Sequence, residues 1–584
     1  MIWDWRRAGR RLLAVSVDFR LTLVAGLVGI VAGLGAVVFR VLIGMFHNLF
    51  FYGTLSPDYH ATIHTLESPW GFGIILVPVA GAVLVAFLVK NFAPEAKGHG
   101  VPEVMEAIYY RKSYIRPLVA VIKSLASAIS IGTGGSIGRE GPIIQIGSSL
   151  GSSLGQLLNL PTWQRYTLVS AGAGGGIAAT FNTPIGGLLF AIELILPEVS
   201  ARTIIPVSIA TGAATFIGRF FLGATPSFNI PSLTLPAASQ TSLAQFFAYI
   251  LLGHLLGLFS VIFILSIYSF IDFFDRMPGN YYTRHMSGML VVGVMMYLFM
   301  HFSGHYYIQG VGYATVQDLL TSTLRNPYFL FLLLFAKMLS TSLTLGSGGS
   351  GGIFSPLLFI GATMGGGFGL LVHDWLPLLH LNVQGLVVVG MAGMVGGATG
   401  AVMTAVVMIF EMTRDYNVII PLIITVSIAY GIRRLLLTDS IYTMKLSRRG
   451  YYVPQTPQTA GILPRTAGEI IAAPFVAANQ GEDVTLLQQR IGKMKRYPYV
   501  LFRDKQAMEV LRPVGTKNGK KVKELKKIKY IVTGTDDVLF DVLAKLREAE
   551  AEAAVITPSG KLNGPEDVIG ILGFEEIARG FRRS

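Results

Sequence analysis

The chain has 584 residues, 52% of them hydrophobic and only 14% charged, with a mean hydropathy of +0.57. An ordinary soluble protein carries about a quarter charged residues, so a soluble enzyme with a single anchor is excluded and many membrane spans are implied. The net charge of +14 is spread over loops and the tail, which reads as topology and contact with anionic lipid rather than nucleic-acid binding, and zero cysteines exclude disulfides, zinc–thiolate sites and iron–sulfur clusters.

"WDWRRAGRR" precedes the first apolar run and lacks a small-residue cleavage site, so it is read as a retained cytoplasmic end. A bilayer-crossing helix needs roughly 20 apolar residues. Candidates are 21–46, 72–90, 117–131, 166–196, 204–222, 242–274, 286–300, 326–345, 353–375, 383–412 and 418–437. Several are too long for one span or too short for a full one, which predicts broken and tilted helices. Basic residues collect at 111–116, at Arg433 and Arg434, and after Lys445, which places both termini in the cytoplasm. Near Leu446 the composition turns mixed and charged. The predicted division is a membrane domain over 1–445, a proline-containing linker over 446–470 and a soluble α/β domain over 471–584, an ordinary domain size.

Two stretches repeat. "GTGGSIGREGPIIQIGSSLG" begins at Gly132 and "GSGGSGGIFSPLLFIGATMG" at Gly346; each is followed by an apolar run ending in an acid, Glu193 in "FAIEL" and Glu411 in "MIFEM". Matching halves with Gly/Pro-interrupted apolar segments point to a repeat transporter with its site between the halves. Irregular backbone at membrane depth is tolerated where it is buried or lines a wet cavity. Pro142 and Pro356 stand near the start of the helices that follow, where a missing N–H costs least. Amide hydrogens converging ahead of those first turns make anion sites without a fixed positive charge, which leaves the ion free to depart. Glu140 is an intramembrane acid in the first stretch. As an anion it can occupy the site its neighbours build, and protonation releases it, which makes it a gate and a candidate proton carrier.

These residues resemble the CLC chloride channel and chloride/proton exchanger family. "GHGVPE" (98–103) is similar to the family's G-S-G-I-P, "GREGP" (138–142) is identical to its motif, and "GGIFSP" (351–356) fits G-x-F-x-P; "FNTPIGGLLFAIE" and "SIY" (440–442) also fit. The likeness covers roughly 24–445. It implies an all-α membrane domain of inverted repeats with broken helices, and a homodimer with an anion pathway in each subunit. It implies that Glu140 matches the gating glutamate and that Ile353 and Phe354 offer their amides to the central anion. Tyr442 would turn its hydroxyl to that anion, and Gly138, Arg139 and Gly141 would form the outer cradle. His99, next to Gly100, replaces the family's central serine. A neutral imidazole donates one N–H to an anion, and a protonated one would bind more tightly and make transport pH-sensitive. The family's exceptions at this position often change anion preference.

Leu194 stands where exchangers often carry a second, inner glutamate. An aliphatic side chain relays no proton, so the sequence leans to a passive chloride channel, with chloride/proton antiport as the alternative; Glu193, Glu198 or a water chain would then carry the proton. Glu193 and Glu411 are otherwise expected to bond backbone amides, and Glu103 and Lys123 to form a buried pair. The tail from Tyr530 reads strand, helix, strand, turn, strand, helix and looks like a CBS module, with a degenerate partner over 481–514. CBS pairs can bind adenine nucleotides, but no nucleotide-contact signature is present, so packing or dimerisation is expected. The run 517–529, "KNGKKVKELKKIK", is read as a solvated or lipid-facing surface. A membrane-embedded sensor with a soluble output domain is the rival from another class. No nucleophile–base set, metal-ligand spacing or nucleotide-phosphate loop supports an enzyme. The expected partners are chloride or another small anion, protons and lipid, in a bacterial inner membrane.

Overall fold

The computed structural model describes residues 5–224, 228, 243–379, 381–451 and 453, and in the C-terminal part 466–470, 475–478, 499–504, 507–512, 526–562 and 564–573. Two compact units part between Arg449 and Gly450, the loop 197–200 grouping with the second.

Two sets of helices build the first unit. The first set is α1 (Trp5–Tyr52), α2 (Val77–Asn91), α3 (Val101–Tyr110), α4 (Leu118–Gly132), α5 (Glu140–Leu157), α6 (Thr162–Phe181), α7 (Pro184–Phe190) and α8 (Ala201–Leu222). The second is α9 (Leu243–Arg276), α10 (Tyr281–Ser303), α11 (Tyr313–Leu320), α12 (Pro327–Ser347), α13 (Phe354–Trp375), α14 (Val383–Thr399), α15 (Val402–Thr413) and α16 (Ile419–Leu436). A short α17 (Thr443–Ser447) closes the unit. Among the described residues eight helices are long and apolar enough to cross a membrane. Of the three longest apolar stretches, 242–274 stays one helix, α9, and the other two break. The first stops at Asn182, left-handed at φ 62°, before Pro184 restarts it as α7 and a π-helical turn over Ala191–Ile195. The second stops at Gly400 (φ 81°) and restarts as α15.

The halves answer each other contact for contact. α5 packs on α6 as α13 does on α14, α1 on α8 as α9 does on α16, and α1 on α4 as α9 does on α12. Mates meet across the junction where α7 packs on α15 and α2 on α10. Reciprocal side-chain bonds follow the same rule. Ser127 on α4 bonds Ser350 in the second glycine stretch at 2.9 Å, while Thr341 on α12 bonds Ser136 in the first at 3.3 Å. Lys123 on α4 donates to the carbonyls of Ala96 and Gly98, and Lys337 on α12 to those of Ile308 and Gly310. Such exchange requires a two-fold relation between the halves, as inverted repeats have.

The C-terminal unit holds two sheets. One runs β1 (Phe475–Ala478), β2 (Tyr499–Asp504), β3 (Ala507–Arg512), β4 (Lys526–Ile528), with β1 parallel to β2 and the rest antiparallel. The other runs β5 (Tyr530–Gly534), β6 (Ala553–Thr557), β7 (Gly570–Gly573), with β5 parallel to β6 and β6 antiparallel to β7. A parallel pair needs a crossover, and α18 (Leu539–Glu548) makes it between β5 and β6. Alternation along β6 sends Ala554 and Ile556 to Leu539, Val542 and Leu546 of α18, and Ala553 and Val555 to Leu501 and Val510 of the other sheet. The β1–β2–β3 unit has the strand directions of β5–β6–β7, and β2 and β3 fall within the expected first partner, 481–514. Residues 481–498 of that expected segment, the last helix expected after Gly573, and most of the lysine run 517–529 lie outside the described residues.

Candidate functional site

The two glycine stretches meet. Gly138 N–H donates to the Gly352 carbonyl at 2.7 Å, and Gly352 N–H to the Gly138 carbonyl at 2.6 Å. These glycines are repeat mates, so the pseudo-two-fold axis passes between them. Glu140 opens α5 and Phe354 opens α13, each two residues beyond the bridge. Side chains are excluded here. A Cβ on Gly141 would stand 2.1 Å from the His99 carbonyl oxygen, and one on Gly138 would stand 2.3 Å from Glu140 Oε2. The second glycine stretch also receives the loop before α3: Gly98 N–H donates to the Gly349 carbonyl at 3.0 Å, and Gly351 N–H to the Gly98 carbonyl at 3.2 Å. Three helix starts, α3, α5 and α13, therefore share one buried region, with N-terminal amides that have no partner within their own helices and with positive dipole ends.

Glu140 is 1% exposed and its carboxylate lies at the start of α13. Oε1 accepts from the hydroxyls of Ser355 and Tyr313, each at 2.5 Å, and Oε2 from Ser355 N–H at 3.3 Å. The two hydroxyl oxygens are 2.8 Å apart. The Arg139 guanidinium lies over the Tyr313 ring at 5.4 Å instead of bonding its neighbour Glu140. Phe354, the repeat mate of Glu140, packs on Phe181 at the end of α6 at 5.4 Å. Ile353 is the N-cap residue of α13 and is buried.

His99 is 2% exposed, and among the described residues neither ring nitrogen has a hydrogen-bond partner. Its ring faces that of Tyr442 at 5.9 Å. Gly100 is the N-cap residue of α3, at φ 86°. Tyr442 caps α17 and is fixed by its neighbour Ile441, whose N–H donates to the Ala398 carbonyl on α14 at 2.9 Å. The Ile441 carbonyl accepts from the Tyr268 hydroxyl on α9 at 2.8 Å. One turn beyond each ring an ion pair ties the segments together, Glu103 on α3 with Lys445 on α17. Arg449 then reaches Glu106 at 2.7 Å. The expected Glu103–Lys123 pair is thus corrected. Lys123 is fully buried and its ammonium is taken up by two carbonyls, leaving Glu103 to Lys445.

Both repeat acids bond backbone amides of the opposite half. Glu193 accepts from the N–H groups of Met403 and Thr404 at 2.9 and 2.7 Å and from the Thr404 hydroxyl at 2.6 Å, capping α15. Glu411 returns the favour, accepting from Ile185 and Gly186 N–H at 3.1 and 2.7 Å at the start of α7. Leu194 sits in the π-helical turn beside Glu193, and Glu198 falls in the loop 197–200. The sequence reading overlooked Tyr313 and Ser355. A signal was present: "GVGYAT" is the repeat mate of "GHGVPE", so Tyr313 takes the place of Val101 and Ser355 that of Gly141.

This duplicated helical scaffold, with helix starts converging on a buried acid, defines a multi-pass membrane protein of the anion-transporting kind. The family model described as voltage gated chloride channel matches residues 81–434, and the chain belongs to that family of anion transporters. The H(+)/Cl(−) exchange transporter ClcA of Vibrio cholerae is 30% identical over 444 residues, spanning 74% of this chain and 90% of that protein. That of Vibrio parahaemolyticus is 30% identical over 441 residues with the same coverage. Among solved structures, a slow cyanobacterial Cl−/H+ antiporter superposes with a TM-score of 0.64 at 26% identity, over 74% of this chain and 98% of that one. A eukaryotic CLC transporter shares the fold over 96% of this chain and 98% of its own, with a TM-score of 0.61 at 20% identity.

Proposed function

We propose that the chain exchanges chloride for protons, and that Glu140 both blocks the anion path and carries the proton. The observation that supports this most is the seat of its carboxylate: an amide and two hydroxyls at a helix start, with no lysine or arginine bonded to it among the described residues. Those donors suit any small anion, so a carboxylate and a chloride compete for the region. Protonation removes the charge that holds the side chain there. The relatives are named exchange transporters, which favours antiport over the passive conduction that Leu194 suggested.

In this reading the amides of Ile353 and Phe354 and the hydroxyl of Tyr442 serve the central anion. Gly138, Arg139 and Gly141 serve the outer one, and His99 beside Gly100 offers one ring N–H. The unpartnered imidazole supports that role, because a buried polar group without a partner costs about 1–3 kcal/mol. Basic residues at 111–116 and around Arg449 support cytoplasmic termini, and the family likeness supports a homodimer in a bacterial inner membrane. The paired β-units support a CBS-like tail that packs or dimerises; an adenine nucleotide there has no residue-level support.

The test is ion flux in liposomes holding the full chain. A reversal potential that shifts with an imposed pH gradient is expected. Glu140→Gln should keep or raise chloride flux and abolish proton movement. Unchanged flux and pH response in that variant would remove Glu140 from the mechanism.

A further inference from the structure

We propose that Tyr313, seconded by Ser355, is a hydroxyl latch that sets the acidity at which the Glu140 side chain leaves its seat. The proposal rests on the reading of Glu140 as the gate, and Tyr313 is a positioning residue within it. Both hydroxyls reach the same carboxylate oxygen at 2.5 Å. A hydroxyl has one hydrogen, so both hydrogens point at Oε1 while the acid is seated. The 2.8 Å between the two oxygens supplies the other state. Once the carboxylate departs, one hydroxyl donates to the other and no buried hydroxyl is stranded.

The phenol cannot drift from this position. Tyr313 is 1% exposed, Phe228 meets its ring edge-on at 5.0 Å, and the Arg139 guanidinium covers the ring at 5.4 Å. A ring held by its faces fixes its hydroxyl. The duplication adds a second argument. Bonds that build the scaffold recur in both halves, but Tyr313, Ser355 and Glu140 replace Val101, Gly141 and Phe354 of the opposite half. The three groups that touch one another all stand at positions where the two halves differ.

Glu140 is the group whose titration the latch governs. The charged and titratable groups around the seat are Arg139 on its own segment, Arg40 of α1 and Tyr59 beyond that guanidinium, Tyr313 of α11 and Tyr442 before α17. None of these residue types ordinarily titrates between about pH 4 and 8. His99 packs its backbone on Gly141, and its charged neighbours are Lys445, Arg449, Glu103 and Lys123. The step itself is a proton transfer from hydronium to a Glu140 oxygen: one hydronium O–H bond breaks, leaving water, and one carboxyl O–H bond forms as the two hydroxyl donors let go. Donors to the ionised carboxylate favour that form.

Tyr313→Phe keeps the ring contacts and removes the hydroxyl. In full-length protein in liposomes, the pH midpoint of chloride flux should move up by about one unit, as expected for loss of one hydrogen bond to a charged group. Ser355→Ala should move it the same way, and it serves if the tyrosine variant does not fold. Neither change should shift anything in a Glu140→Gln background. A wild-type midpoint in both single variants, with the response of Glu140→Gln flattened, overturns the latch and leaves the gate standing. A wild-type profile in Glu140→Gln itself overturns both.

Discussion

Glu140 shows how an acid is kept at membrane depth with amide and hydroxyl donors in place of a counter-cation. Its place was legible because "GREGP" puts a carboxylate at a helix start. Tyr313 was not legible, because a tyrosine beside a span reads as an interfacial anchor; only the fold brings α11 to α13. His99 was legible as a departure and is found buried and unpartnered, facing Tyr442. Replacing it with serine substitutes a hydroxyl donor for the unpartnered imidazole. The ratio of chloride to nitrate flux should then change several-fold; an unchanged ratio places the imidazole outside the path.

At the scale of elements, the long spans were readable from hydropathy alone. α3, α5 and α11 were absent from that reading. α3 and α11 are too short to span, with 10 and 8 residues, and α5 is diluted by "SSLGSSLG". The exchange of caps between α7 and α15 was half legible: the acids were expected to bond amides, but which amides depends on the two halves meeting. Glu193→Ala would strand two N–H groups at the start of α15. A loss of about 2 kcal/mol is expected from the lost cap and the unpaired donors, read as a lowered midpoint of thermal unfolding in detergent. Glu411→Ala should do the same at α7. If Glu193 also carried the proton, Glu193→Gln would abolish coupling; with its oxygens engaged at α15, coupling should survive that change.

For the whole molecule, the place where the tail can be cut matters. Arg448 bonds Asp272 on α9 through both guanidinium nitrogens, at 2.8 and 3.1 Å, and Arg449 bonds Glu106. A chain ended after Lys445 loses both pairs, whereas one ended after Gly450 keeps them. Chloride flux should persist in the longer truncation, measured on purified protein in liposomes, and a dead but folded one would favour the sensor reading. The membrane half was traceable from its repeat. The tail was traceable only from Tyr530 onward, because its first unit shows its strands mainly through their pairing with one another.

The crossed caps also bear on how the chain is made. Glu193 finds its amides 210 residues later in the chain. At about 5–20 residues per second of synthesis, the first half waits roughly 10–40 s in the bilayer with a carboxylate and the amides opening α7 unserved. Nascent chains halted before residue 402 should therefore be cut readily by added protease, and those released beyond residue 413 should resist it.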